Sequence, residues 1–202
     1  MTLPRLREAI RHALTPAAAE WLAAAVAEVT TVARTIHTVF PRVGRRCGRD
    51  PLGAYDPQWT IDDGARVLLL AASPAVTEEL SVLYRHGDVA EKRAILRGLP
   101  YLKIGGAGLP LITDALRGND PRLVVAALGE YGASWLDDLS YRQGVLKCVF
   151  MGIPLREVSG LTHRADEELM RMMRSFAAER AAAGRPVPAD LLTFVPDSHR
   201  QD

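Results

Sequence analysis

The sequence has only two cysteines, Cys47 and Cys148, far apart in the chain. With no export signal ahead of them a disulfide framework is not expected, and a four-ligand zinc site lacks its thiolates. The opening Met1-Thr2-Leu3-Pro4-Arg5 runs into Arg7, Glu8 and Arg11 without an apolar core. No signal peptide is therefore expected, and the expected location is cytoplasmic. Apolar runs such as Val67 to Ala72 fall far short of the ~20 residues that a membrane span requires. Charge of one sign is also missing. Lys+Arg 25 against Asp+Glu 24 leaves a net charge of +1, which argues against a dedicated nucleic-acid binder. Alternating β-branched runs are too few and too short to build a sheet.

Chemical motifs are equally sparse. There is no Gly-x-Ser-x-Gly turn and no Ser/His/Asp order for acyl transfer. The histidines His12, His37, His86, His163 and His199 are scattered. Even His163 with Glu167 on one helix face would supply only two metal ligands, so no metal is expected. The stretch Lys103-Ile104-Gly105-Gly106-Ala107-Gly108 precedes a helix, as a phosphate cradle would. It lacks the dinucleotide spacing and the lysine-serine ending of a nucleotide loop, and a hinge between helix pairs is the better reading. No cofactor is expected.

What the sequence does contain is helix. Its 202 residues are 48% hydrophobic, enough to bury a core, and one all-α domain is expected over 1–202. Pro4 to Leu14 reads as an amphipathic opener. Thr15-Pro16 supplies an N-cap and a first-turn proline for a helix to Phe40, which Pro41 ends. Residues 41–59, rich in proline and glycine, read as a loop. Thr60 with Asp63, and Asp88 with Glu91, have capping-box spacing. Further openers stand at Ser73, Gly106 and Asp120. Their recurrence predicts stacked antiparallel helix pairs, an irregular HEAT-like solenoid or a compact bundle. In the C-terminal segment 135–188, one helix is predicted from Trp135 to Met151 with Gly152 as C-cap, and a long one from Thr162 through Ala183 to Gly184. A last short helix, Ala189 to Phe194, is expected to pack back.

Three groups of residues could carry chemistry. Arg42, Arg45, Arg46 and Arg49 surround Cys47 in the densest positive charge of the chain. They read as a solvated run meeting acids such as Asp62 and Asp63, as an anion-binding loop, or as the setting of a thiol with lowered pKa. Arg142, Lys147, Arg156, Arg164, Asp166, Glu179, Arg180 and Arg185 lie between apolar positions of segments destined for a core. Buried charges must be paired, so Arg164, Asp166, Glu179 and Arg180 are candidates for an inter-helix ion network, or for the polar wall of a pocket. Asp137 and Asp138 fit the positive end of a helix dipole.

The run Gly144-Val145-Leu146-Lys147-Cys148-Val149-Phe150-Met151-Gly152-Ile153-Pro154-Leu155 resembles the EboA family. So do Gly160-Leu161-Thr162-His163-Arg164-Ala165-Asp166-Glu167-Glu168-Leu169 and the ending from Phe176 to Val187. Upstream, Phe40 to Gly44, Trp59 to Arg66 and Glu91 to Pro100 are similar as well. The sequence departs from the family pattern at Asp166 (usually asparagine), Ala178 (usually histidine) and Ala181 (usually tryptophan). Wherever the last two line a site, that implies a different ligand. Glu130-Tyr131-Gly132-Ala133 stands in place of an asparagine-proline-tyrosine stretch.

The resemblance implies a bacterial gene cluster of secondary metabolism that also encodes a membrane prenyltransferase-like protein. It also implies a location that is cytoplasmic or peripheral to the inner membrane. The expected function is to bind or traffic a hydrophobic natural-product precursor, or to dock partner proteins of the cluster. Arg142, Lys147, Arg164, Glu179, Arg180 and Arg185 are the expected ligand-binding set. The alternative is a biosynthetic enzyme, a cyclase, isomerase or hydrolase, using Asp137, Asp138, Asp166 or Glu179 as acid or base.

Overall fold

A computed structural model describes residues 2–53 and 55–194; His199 lies outside them. Among these residues the chain is all-α, with no strand and a single isolated bridge between Pro51 and Thr60. The helices are α1 (Leu3–Ala13), α2 (Pro16–Thr31), α3 (Ile36–Val39), α4 (Val43–Arg46), α5 (Ile61–Ala72), α6 (Val76–His86), α7 (Val89–Gly98), α8 (Leu109–Arg117), α9 (Pro121–Ala127), α10 (Glu130–Trp135), α11 (Asp138–Met151), α12 (Leu161–Arg164), α13 (Glu167–Ala182) and α14 (Ala189–Phe194). None of them is long and apolar enough to cross a membrane. Contacts divide the chain into two compact units, Met1–Leu111 and Ile112–Asp202.

The N-terminal unit is organised around α5. Every residue of this helix from Ile61 to Leu70 is buried, the signature of a helix wrapped on all sides. Its chief partner is α7, with α1, α2 and α4 packed around it. Glycine permits two of these approaches. A Cβ at Gly64 would lie 2.5 Å from Ile10 Cδ1 of α1, and one at Gly98 would lie 3.2 Å from Val67 Cγ2. The expected caps form: Thr15 accepts from Ala18 N at 3.3 Å, and Asp88 and Glu91 complete a reciprocal box at 2.8 and 2.9 Å. At α5, Thr60 N donates to Asp63 Oδ2 at 3.2 Å.

Two sequence expectations fail in this unit. The helix from Pro16 does not reach Phe40, because Val32 is extended and α2 ends at Thr31. Nor does Pro41 begin a loop. It sits in a 3-10 turn, Phe40–Arg42, that leads directly into α4, where a missing N–H costs nothing. Helical turns thus run from Ala33 to Arg46, with Ile36, Val39, Phe40 and Val43 buried.

In the C-terminal unit the first long helix expected from the sequence starts three residues late, at Asp138, and runs intact to Met151, whereas the second is interrupted. Trp135 ends α10, Leu136 is extended, and Asp137 caps α11 by accepting from Ser140 N at 2.8 Å. In the second, α12 stops at Arg164, Ala165 is extended, and Asp166 caps α13 by accepting from Leu169 N at 2.9 Å. His163 and Glu167 therefore stand on different helices. Gly152 and Gly184 terminate α11 and α13 with left-handed φ of 69° and 65°, as expected of C-cap glycines. Helix α14 packs back as expected: Leu191 is fully buried, and Asp190 accepts from Leu155 N at 2.7 Å.

Candidate functional site

Helices α1, α2 and α5 enclose an open cleft of about 350 Å³ in the N-terminal unit. Its floor is Ile10, Leu22 and Leu68, all buried, and its flanks include Leu14 and Val26. The space exists because α2 presents alanine at Ala19 and Ala23, where larger side chains would fill it. Arg7 and Arg11 complete the lining, and both are exposed. Arg11 pairs with Glu8 at 2.6 Å, and together with His12 it pulls the Glu8 carboxyl down to about 2. Arg7 has no ion pair among the described residues. The result is an apolar slot with cationic side chains along one border.

Another region of α5 carries a buried charge network. Arg66, fully buried, donates to Asp62 Oδ2 at 2.5 Å and lies 4.0 Å from Glu91 Oε1. Asp63, also fully buried, accepts from Arg93 Nε at 3.0 Å and from Arg97 Nη1 at 2.7 Å. Arg93 reaches on to Thr60 Oγ1 and Arg97 to the carbonyl of Gln58. The Arg66 guanidinium lies over the Phe40 ring and that of Arg97 over Trp59. Burial lowers the Arg97 pKa against the opposing pull of Asp63. Three acids thus meet three arginines, so the cluster is neutral as a whole, the condition under which buried charge is tolerated. The sequence reading missed this network. The stretches Trp59–Arg66 and Glu91–Pro100, read there as separate similarities, converge on it.

The network also answers the question of the arginine-rich segment. Asp62 and Asp63 are engaged by Arg66, Arg93 and Arg97, so they do not neutralise Arg42, Arg45, Arg46 and Arg49. Cys47 is buried, and burial pushes its thiol up to about 11. That is the reverse of an activated thiol.

In the C-terminal unit the expected ligand set is distributed over several local tasks. Arg164 donates to the carbonyls of Ala133 and Leu136, both at 2.9 Å, and to Asp138 Oδ1 at 2.8 Å, with its guanidinium 4.1 Å from the Tyr141 ring centre. It thereby clamps the break between α10 and α11. Lys147 donates to the carbonyl of Leu116 at 2.8 Å, satisfying the C-terminal end of α8. Arg142 pairs with Asp166, linking α11 to the cap of α13. Arg180 donates to the carbonyl of Pro186 and lies over Phe176. Arg156 pairs with Glu157, while Glu179 and Arg185 are exposed. The ion pairs thus differ from those expected: Arg164 takes Asp138 and Asp166 takes Arg142, leaving Glu179 outside any ion pair among the described residues.

Two of the four carboxylates offered for acid or base work, Asp137 and Asp166, are helix caps, while Asp138 pairs with Arg164 and Glu179 is exposed. Asp137 is held below its ordinary pKa by bonds from Ser140. Asp166 is held low first by Arg142 and then by the Leu169 N–H. Both shifts run opposite to the raised pKa that a proton donor near neutral pH requires.

The model of the family described as metabolite traffic protein EboA matches residues 2–196, nearly the whole chain. Comparison with curated proteins and with solved structures gave no match. A match of that extent over an all-helical chain leads to one conclusion: the chain belongs to the EboA family of metabolite traffic proteins.

Proposed function

We propose that this protein binds a hydrophobic metabolite in the cleft between α1, α2 and α5 and delivers it without transforming it. The observation that carries this reading is the cleft itself. Its roughly 350 Å³ falls within the range of small-molecule sites, which are largely apolar with a few placed polar groups. Ile10, Leu14, Leu22, Val26 and Leu68 would receive the apolar body, and Arg7 the polar end. The charged side chains Arg142, Lys147, Arg164 and Arg180 are engaged in closing helix ends and packing rings, which supports the cleft over them as the host. The recipient, following the family resemblance, is a protein of the same gene cluster such as the membrane prenyltransferase-like one.

The test is titration with the neutral fluorescent probe N-phenyl-1-naphthylamine. Ala23 is exposed at the cleft wall, so Ala23→Trp should fill the slot while leaving the melting temperature near that of the parent. A loss of about tenfold or more in affinity is expected, corresponding to ~1.4 kcal/mol. Arg164→Ala should leave probe binding unchanged. Equal binding by the parent and Ala23→Trp would overturn the proposal. So would loss of binding in a folded Arg164→Ala variant, which would place the ligand in the C-terminal unit.

A further inference from the structure

The segment from Ala33 to Arg49 divides its side chains sharply. Ile36, Val39, Phe40, Val43 and Cys47 are buried against the unit. Arg34, Arg42, Arg45, Arg46 and Arg49 are exposed, and none of them forms an ion pair among the described residues. Positions 42, 45 and 46 follow helical spacing, so the three guanidiniums share the outer face of one continuous run of turns. Arg49 lies beyond Gly48, whose φ is +90°, and folds back over the helix. Its side chain lies against Gly44, where a Cβ would sit 2.7 Å from the Nε. No acidic residue occurs anywhere between Ala33 and Arg49. The first acid on either side is exposed Glu28 or exposed Asp50. Val32, which precedes the segment, is an exposed apolar side chain.

A buried backing that displays five guanidiniums without ion partners among the described residues is an unusual concentration in a chain whose net charge is only +1. Elsewhere in the same unit arginines close to acids are neutralised by them, as at Arg66, Arg93 and Arg97. Guanidinium pairs phosphate oxygens through parallel hydrogen bonds, and a cluster of this density is attracted to surfaces bearing anionic lipid. We infer that the exposed arginines of this segment, Arg42, Arg45, Arg46 and Arg49 with Arg34 ahead of them, dock the protein onto the phosphate headgroups of an anionic membrane surface. This holds whether or not the cleft of α1, α2 and α5 takes the metabolite.

Vesicle co-sedimentation tests the inference with the full chain. Vesicles of phosphatidylcholine alone should leave the protein in solution, and those containing phosphatidylglycerol should carry it down, less so as salt shortens the Debye length. Replacing Arg42, Arg45, Arg46 and Arg49 together by glutamine should reduce partitioning by about fivefold per guanidinium removed. Lysine at the same four positions should preserve most of the binding, which separates charge from loss of fold. Glycerol phosphate at millimolar concentration should compete weakly, because a single headgroup cannot span the face. Equal partitioning onto both vesicle types, or undiminished binding by the glutamine variant, would overturn the inference. So would complete displacement by glycerol phosphate, or tighter binding to a single-stranded oligonucleotide than to anionic vesicles; these would assign the face to a free phosphate compound or to nucleic acid.

Discussion

The arginine–acid networks of the two units lie at different depths. In the N-terminal unit Arg66 is enclosed with Asp62 beside α7, and Asp63 holds two further arginines. In the C-terminal unit Arg142 and Arg164 lie nearer the surface, and their acidic partners Asp166 and Asp138 are 41% and 74% exposed. The ion pairs are chemically alike, but their energetics are not. A buried pair that loses one member strands a charge in a poor solvent, whereas an exposed pair that is broken is rehydrated. What matters about Arg164 is therefore less its pair with Asp138 than its grip on two carbonyls that mark a helix break.

Replacing Arg66 should show the largest effect. Arg66→Met leaves Asp62 buried without its cation and should cost about 3–5 kcal/mol, read from urea unfolding. The double replacement Arg66→Met with Asp62→Leu should recover most of that loss. A single variant as stable as the parent would erase the distinction between the units.

Next comes Arg164→Ala, which removes the donors to the carbonyls of Ala133 and Leu136. A cost of about 1–3 kcal/mol is expected, against less than about 0.5 kcal/mol for Asp138→Ala. If both variants lose the same amount, the ion pair and not the carbonyl clamp is what matters at this junction.

The smallest effect concerns pH. Asparagine caps helices as well as aspartate does, so Asp166→Asn isolates the pair with Arg142. Because the folded-state pKa of Asp166 is depressed, its contribution is present above the unfolded value of about 4 and disappears as pH falls through the folded one. Melting curves of parent and variant should keep a constant separation from neutral pH down to about pH 4 and converge below it. A separation that widens on acidification would contradict the assignment.

Much of the helical punctuation was legible in the sequence. Thr15-Pro16, Asp88 with Glu91, Gly152 and Gly184 each mark an end, because capping depends on residues within one turn. The break at Asp166 had a sign too, an acid able to cap with Glu167 and Glu168 in the first turn behind it, but the expected helix ran from Thr162 straight through it. Val32 gave no such sign, since neither proline nor glycine stands near that break. The buried network had an indirect signal. Apolar residues on every side of α5, from Ile61 through Leu70, imply that Asp62, Asp63 and Arg66 on the same helix are buried as well. Their partners Glu91, Arg93 and Arg97 could not be chosen from spacing.

The sequence by itself determined an all-helical chain, many of its helix ends, and a family whose members handle metabolites. These rest on local periodicity, on caps within a turn, and on residue patterns that persist along the chain. Only the tertiary structure decided which helix lies at the centre of the N-terminal unit, and where alanines at Ala19 and Ala23 leave an apolar slot. It also decided which arginines are neutralised and which remain free. Burial and charge pairing depend on residues distant in sequence, such as Asp63 with Arg93 and Arg97, and a local pattern holds no record of which distant side chain arrives.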